Sequence, residues 1–421
     1  MFPVTSDARP RPAKQKAAAA AAVARIEDRL TSLSKRLHAH PETAWEEHRA
    51  ASWVGQALVD LGFAVEGGFL GLETALHATY GDGSTRIGLC AEYDALPGLG
   101  HACGHNLIAA ASLGAAAGLA QVADDLGLTV EVYGTPAEEG GGGKIEMLER
   151  GAFTGLDLAM MAHPAPVDIA EARPFAVSHS HVTFRGKAAH AAAYPEQGIN
   201  AADAITLAQV AVGLLRQQLP AGVRVHGVVT HGGDAPNAIP ERTEGRWYVR
   251  AGSIEELDGV ASRVWRCFQG AALATGCELQ IEPESKPYAE FRADETALAS
   301  YRRNALRLGR RFDAGIASRM NRASTDMGNV SQKVPAIHPY FGIGSWPALN
   351  HQKEFAAHCA GPDAHRAMLD AATGLAWTGI DVASARCLRC GNRSPPAHQT
   401  ASAACSPNSA SRLARTWRTA S

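Results

Sequence analysis

The chain has 421 residues, of which 46% are hydrophobic and 19% are charged, and its formal net charge is −2. This length and composition can fill two or three domain cores and exclude wholesale disorder. A net charge this close to zero provides no basic field for nucleic acid, and no apolar run of about 18 residues predicts a membrane span or a membrane partner.

The eight cysteines follow no regular spacing, which is typical of a large enzyme from a reducing compartment. We therefore expect a cytoplasmic protein. The N-terminal segment resembles a signal peptide only superficially, because its alanine run (17–22) lacks bulky hydrophobic residues. The run leads into Ile26, Leu30, Leu33 and Leu37, which recur at helical spacing. We expect a disordered extension over 1–25, followed by an amphipathic helix.

Short apolar segments alternate with helical segments between residues 85 and 165. IGLCA (87–91), TVEVYG (129–134) and LDLAMMA (156–162) have the continuous apolar character of buried parallel strands. A small-residue segment that begins at Asn106, a possible N-cap, predicts a helix packed closely on the sheet. The pattern predicts an α/β domain with a mostly parallel sheet flanked by helices.

The pattern changes after residue 175 to strand, helix, strand, strand, helix and strand over about 110 residues. This order predicts an inserted α+β domain at 176–288, within a discontinuous domain formed by 26–175 and 289–383. Histidines on the inserted strands, among them His179 and His226, are expected to be surface or packing residues. The tail at 384–421 contains six arginines and no acidic residue, and we expect it to be disordered.

Side chains of the metal-binding type follow directly after the apolar segments. They are Glu92, Asp94, His101, Cys103 and His105 after the first segment, Glu138 and Glu139 after the second, His163 after the third, and His351 shortly after a fourth, IHPYFGIGS. Ligands of open α/β sheets bind outside the carboxyl ends of the strands, so these groups should converge. Thiolate, imidazole and carboxylate together suit zinc, and imidazole with carboxylate also accepts manganese or cobalt.

The adjacent pair Glu138–Glu139 suits hydrolysis. One glutamate can bind a metal while its neighbour takes a proton from water and passes it to the leaving nitrogen. Taken alone, HACGH could be a histidine-rich turn and the glutamate pair a solvated surface. Their joint placement after successive strands favours a metal site.

Three other functions fit the pattern less well. A thiol hydrolase with Cys103 as nucleophile and His101 or His105 as base would leave the glutamate pair and His163 unexplained. A relative that binds ligands without turnover stays open. A dehydrogenase is not supported, because no GxGxxG motif follows an early strand.

The segments CAEYDALPGLGHACGHN, GTPAEEGGGGKIEMLERGAF and MMAHPAP resemble the aminoacylase/carboxypeptidase-type metallopeptidase family. The resemblance extends over residues 26–383 and is strongest to the branch of p-aminobenzoyl-glutamate hydrolase and the β-alanyl-lysine-type dipeptidase. It implies metal-dependent hydrolysis of an amide bond in small N-acyl- or aminoacyl-amino acids that carry a free carboxylate.

The resemblance also implies roles for individual residues. Glu138 matches the general base, and the metal ligands, for one or two zinc or manganese ions per subunit, match Cys103, His105, Glu139, His163 and His351. The inserted domain matches a lid and dimerisation domain, which implies a homodimer. In that domain His190 matches a histidine that stabilises the oxyanion, often across the dimer, while Asn237 and Arg250 match positions that recognise the substrate's carboxylate and backbone. Glu92 and Asn106 stand where many relatives have aspartate.

Overall fold

The computed structural model describes residues 12–391, and every structural statement below concerns those residues. The helices are α1 (Pro12–Arg25), α2 (Glu27–Ala39), α3 (His48–Asp60), α4 (His105–Ala120), α5 (Ala123–Leu126), α6 (Gly143–Glu149), α7 (Ala201–Leu215), α8 (Ile254–Thr275), α9 (Glu295–Arg307), α10 (Met327–Ser331), α11 (Lys353–His358) and α12 (Pro362–Gly391). The strands are β1 (Ala64–Gly67), β2 (Leu76–Tyr80), β3 (Thr85–Glu92), β4 (Leu128–Thr135), β5 (Leu158–Met160), β6 (His163–Ala165), β7 (Ala176–Arg185), β8 (Arg224–His231), β9 (Arg242–Ala251), β10 (Glu278–Pro283), β11 (Ala336–Ile337) and β12 (Tyr340–Gly342).

The larger sheet has the strand order β1-β2-β4-β3-β5-β11, and its strands β4, β3, β5 and β11 run parallel. Helix α4 is almost entirely buried because its alanine and glycine residues let neighbouring elements approach closely. A Cβ atom at Gly114 would lie 2.8 Å from Cβ of Ala372, so α12 contacts the α4 backbone directly. This close packing holds the middle of α4 against α12.

The second sheet is antiparallel, with the order β10-β7-β9-β8. Helices α7 and α8 cover one face, and their core is formed around Phe184, Trp247 and Phe268. Alternating burial along β9 shows why the sequence alternates there: one face of the strand contacts the helices. The predicted combination of a mostly parallel α/β sheet with an inserted α+β unit is confirmed.

The predicted N-terminal disorder is wrong for residues 12–25, which form α1. Alanine is the strongest helix former, and the small side chains let Ala19 and Val23 pack into the main core. Nζ of Lys16 donates to Oδ1 of Asn304 at 2.8 Å and to Oδ2 of Asp381 at 2.7 Å, which ties α1 to α9 and α12. Residues 1–11 lie outside the described part of the chain.

The predicted disorder of the tail is also wrong over residues 384–391, because α12 continues to Gly391. The helix is held on the core up to Ala383, and Arg386 pairs with Asp157 beyond it. The remainder of the predicted tail, 392–421, lies outside the described residues. Across 12–391, no helix combines the length and the apolar character that crossing a membrane requires.

Candidate metal centre

Six of the residues singled out in the sequence converge at the carboxyl ends of the parallel strands. Overlapping groups of ligand atoms lie within 4.8 Å of one another: Cys103, His105 and His163; Cys103, Glu139 and His351; and His105, Glu138 and Glu139. Sγ of Cys103 is 3.5 Å from Nε2 of both His163 and His351. Nε2 of His351 is 3.7 Å from Oε1 of Glu139.

Backbone turns bring these side chains together. Gly104 adopts φ +81° immediately before α4, and a Cβ atom there would lie 2.6 Å from Cγ of Pro164. Only glycine therefore allows the segment with Cys103 and His105 to approach the segment with His163. After β4, Ala137 has φ 55° and Gly140 φ 124°, and this turn brings one carboxylate oxygen of Glu138 and one of Glu139 to 3.9 Å from Nε2 of His105.

Asp94 orients the centre of the cluster. Its Oδ1 lies 2.9 Å from Nδ1 of His105, and its Oδ2 accepts the backbone N–H of Glu139 at 2.9 Å. Although burial opposes the protonation of His105, Asp94 and Glu92 raise its pKa well above the usual value. The surrounding carboxylates therefore favour a positive charge at this position.

The donor set fits a metal ion. Among the described residues, Nε2 of His105 and Oε1 of Glu139 are buried without a hydrogen-bond partner. Buried polar atoms normally have partners, and these two face each other at 3.9 Å. A divalent cation would satisfy both atoms and would supply the positive charge that the carboxylates favour.

A buried ion triplet lies behind Glu138. Nζ of Lys144 lies 2.5 Å from Oε1 of Glu92 and 2.7 Å from Oδ1 of Asp326, and all three side chains are fully buried. Oxygen atoms of Glu92, Glu138 and Asp326 lie within 4.8 Å of one another. Burial, followed by the charges of Glu92, Glu139 and Asp326, raises the pKa of Glu138 well above the usual value.

A second histidine ligand candidate, His163, is held in its neutral form. Burial, followed by the neighbouring His338, lowers the pKa of His163 to about 3. Nδ1 of His163 lies 2.7 Å from the carbonyl oxygen of Pro164. With Nδ1 donating to that carbonyl, the lone pair of Nε2 faces Cys103, which is the arrangement that a metal-binding histidine needs.

The cluster opens into a cavity of about 730 Å³ that the main and inserted domains line together. Arg250, predicted to recognise the substrate, lines this cavity. His190 and Asn237 do not line it: they lie beside each other on the exposed surface of the inserted domain, where the N–H of Ala191 donates to the carbonyl of Asn237 at 3.0 Å. Their roles therefore remain predictions, of which that of His190 involves a partner subunit.

Several residues of the site were not predicted from the sequence. His179 and His226, expected at the surface or in packing, line the cavity instead, because β7 and β8 turn these faces towards the main domain. Lys144, Asp326, His338 and Glu47 were not identified at all. Glu47 contacts the glutamate turn, since its Oε1 accepts the N–H of Ala137 at 2.8 Å. Its position in the segment HPETAWEE was the only available signal.

A buried cluster of thiol, imidazole and carboxylate groups at the carboxyl ends of parallel strands, beneath an inserted α+β domain, defines a metallohydrolase. Residues 88–369 match the sequence profile of peptidase family M20/M25/M40, and the chain belongs to this family.

The chain is similar in sequence to characterised relatives. It is 42% identical to the Xaa-Arg dipeptidase of Mus musculus over 376 residues, which cover 84% of this chain and 86% of that protein. It is 33% identical to one of the subunits of the p-aminobenzoyl-glutamate hydrolase of Escherichia coli K12 over 293 residues, covering 64% of this chain and 61% of that one.

Solved structures share the fold. An aminobenzoyl-glutamate utilization protein from Klebsiella pneumoniae has a TM-score of 0.65 at 21% identity, covering 85% of this chain and 97% of that chain. A dinuclear metal binding peptidase of the M20 family from Bacillus subtilis has a TM-score of 0.61 at 23% identity, covering 85% and 99%.

The family resemblance seen in the sequence is confirmed, and so is the class of reaction. The protein is a metal-dependent hydrolase of amide or peptide bonds. The alternative of a relative without turnover and the alternative of a Cys103 thiol hydrolase are not favoured.

Proposed function

We propose that the protein releases an amino acid from a small N-acyl- or aminoacyl-amino acid with a free carboxylate. The observation that carries this proposal is the convergence of the five candidate ligands with Glu138, and all of these residues except the fully buried His105 line one cavity. The two relatives support the substrate class, because one is named as a dipeptidase and the other as an acyl-glutamate hydrolase.

The ligands in this proposal are Cys103, His105, Glu139, His163 and His351, which hold one or two zinc or manganese ions. When bound, the metal polarises the scissile carbonyl and makes water a stronger acid. Glu138 takes the proton from the attacking water and delivers it to the leaving nitrogen. Its elevated pKa, caused by burial and by neighbouring carboxylates, suits a group that must hold a proton between these two transfers.

Arg250 binds the carboxylate of the substrate. Its Nη1 donates to Oγ of Ser324 at 2.5 Å, which holds the guanidinium in place at the cavity wall. A planar guanidinium pairs with a carboxylate through two parallel hydrogen bonds, so Arg250 fixes both the position and the direction of the substrate.

We further propose a homodimer that forms through the inserted domain. Helix α7 exposes Leu207, Val210 and Leu214 by 43%, 56% and 72%, and β8 is an edge strand of its sheet. Exposed apolar side chains beside an open strand edge are typical of a surface that a partner covers. In such a dimer, His190 and Asn237 of one subunit serve the cavity of the other.

The proposed compartment is the cytoplasm. Cys90, Cys103, Cys267, Cys277 and Cys359 are free thiols in the described part of the chain. Free thiols, one of them in the candidate metal centre, suit a reducing environment.

The test is a hydrolysis assay with metal-reconstituted and chelator-stripped protein side by side. The substrates are p-aminobenzoyl-glutamate, β-alanyl-lysine, carnosine, hippurate and several N-acetyl amino acids. We expect activity that disappears on stripping and returns with zinc or manganese. Activity that survives complete removal of metal would contradict the mechanism. A Cys103→Ala variant that is reloaded with metal and is still no more active than the chelator-stripped wild-type protein would support the ligand set.

A further inference from the structure

The wall of the cavity is unusually rich in arginine. Five guanidinium groups line it: Arg224, Arg246, Arg250, Arg319 and Arg322. The only carboxylate side chains in the same lining are Glu138 and Glu139, which belong to the metal centre. The lining beyond the centre therefore carries positive side chains and no carboxylate.

Most of this charge is not neutralised by neighbouring groups. Arg246 is paired with both carboxylate oxygens of Glu284, at 2.6 and 2.5 Å. Within residues 12–391, no ion pair to a carboxylate is formed by the other four, namely Arg224, Arg250, Arg319 and Arg322. Native proteins seldom gather several unpaired cations around one cavity unless an anion enters it.

Contacts hold two of these arginines towards the cavity. Arg250 donates to Ser324 and, through Nε, to Nε2 of His226 at 3.2 Å. The guanidinium of Arg322 stacks over the ring of Phe175 at 5.5 Å. Phe175 also lines the cavity, so Arg322 is supported at its edge. Arg319 precedes it in the same short helical segment, Ile316–Arg322.

The cavity histidines add no opposing charge. Burial, followed by the charge of Arg250, lowers the pKa of His179 to about 4. The same two causes lower the pKa of His226. Both histidines are neutral at physiological pH and can accept or donate hydrogen bonds beside the arginines.

We propose that Arg319 and Arg322, together with Arg224, form a subsite for a second carboxylate of the substrate, distinct from the carboxylate that Arg250 binds. The enzyme then prefers N-acyl or aminoacyl derivatives of glutamate or aspartate to those of lysine or arginine. This inference rests on the proposed function. The predicted specificity differs from that of the mouse relative, which is named for Xaa-Arg dipeptides. The positive side chain of an arginine substrate would be repelled by the arginines that line the cavity.

The first experiment compares kcat/KM of the metal-loaded enzyme for N-acetyl-L-glutamate, N-acetyl-L-leucine and N-acetyl-L-lysine. We expect the glutamate derivative to exceed the lysine derivative by about tenfold or more, and the preference to fall as salt is added. The double variant Arg319→Ala/Arg322→Ala should lose most of this preference. The control Arg302→Ala, which removes an exposed arginine of α9 outside the cavity, should retain it. Equal or better hydrolysis of the lysine derivative would overturn the subsite.

Binding separates failure of the subsite from failure of the proposed function. The metal-loaded Glu138→Gln variant is titrated calorimetrically with the same three compounds. The titrations are repeated with a variant that also carries Arg319→Ala and Arg322→Ala. Tighter binding of N-acetyl-L-glutamate that weakens in the arginine variant supports the subsite, even if wild-type protein hydrolyses none of the compounds. Equal affinity for all three compounds, or no binding of the glutamate derivative, overturns the subsite whatever the activity.

Discussion

Asp94 accepts a hydrogen bond from Nδ1 of His105 at 2.9 Å, and both side chains are buried. Because Nδ1 is directed at Asp94, Nε2 is the ring nitrogen that points at Glu138 and Glu139, 3.9 Å from an oxygen of each. The second oxygen of Asp94 accepts the N–H of Glu139. One buried carboxylate therefore sets the direction of two predicted metal ligands.

Removing this carboxylate should weaken metal binding without removing a ligand. We expect Asp94→Ala to lower the affinity for zinc by about 10-fold to 100-fold, the usual effect of losing the partner of a metal-binding histidine. Competition with a chromophoric chelator measures the change, and Asp82→Ala, at an exposed aspartate, provides the control. Unchanged affinity in Asp94→Ala would show that packing alone orients His105.

Glu138 and Glu139 are adjacent in sequence, but their substitution should affect different properties: kcat for Glu138 and metal content for Glu139. Glu138→Gln should lower kcat by about 10² to 10⁴-fold, because the proton carrier is lost, while the metal content per subunit stays at the wild-type value. Glu139→Gln should lower the metal content itself. Elemental analysis after gel filtration distinguishes the two variants. Stoichiometric metal loss in Glu138→Gln would instead make Glu138 a ligand.

The ligands could be predicted because each follows a recognisable local pattern in the sequence. Each apolar segment around IGLCA, TVEVYG and LDLAMMA leads straight into a ligand-type residue, and parallel strands present such residues at one edge. The supporting residues lack such a pattern. Lys144 contacts Glu92 and Asp326, which are 52 and 182 residues away in the sequence. Contacts between residues so far apart leave no pattern in the local sequence.

Alternation along a strand likewise has limits as a signal. It identifies the two faces of β7 and β8 but not the element that each face meets, so His179 and His226 could not be placed in the cavity. The prediction for the alanine run of α1 is wrong for a related reason. Alanine provides little hydrophobic patterning, yet its small size is what lets α1 pack onto α4 and α12.

The ion triplet behind Glu138 should be a strong determinant of stability. Lys144→Met would leave Glu92 and Asp326 buried as uncompensated carboxylates, and we expect a loss of about 3–5 kcal/mol in the free energy of unfolding. Urea titration of metal-free protein measures it. Lys35→Met, at an exposed lysine of α2, is the matched control and should change the free energy of unfolding little.

Adding Glu92→Gln to Lys144→Met should recover part of the lost stability. A cost below about 1 kcal/mol, the range of exposed ion pairs, would contradict the assignment of a buried charged triplet.

Glu47 should make stability depend on pH in a direction opposite to that of most surface carboxyl groups. Burial, followed by the charge of Asp94, raises its pKa from 4.5 to about 7. The folded state therefore holds the proton more tightly than the unfolded chain does, and the contribution of Glu47 is fully present below pH 4.5. It is lost as the pH rises to about 7, by about 3 kcal/mol in all.

Glu47→Gln isolates this effect, because glutamine stays neutral and keeps an oxygen that can accept the N–H groups of Trp45 and Ala137. In metal-free protein, the free energy of unfolding of wild type minus that of the variant should fall between pH 4.5 and 7 and stay level above it. Urea titrations at half-unit steps of pH measure this difference. A difference that rises with pH would mean that those two N–H donors outweigh burial and hold the carboxylate ionised in the folded protein.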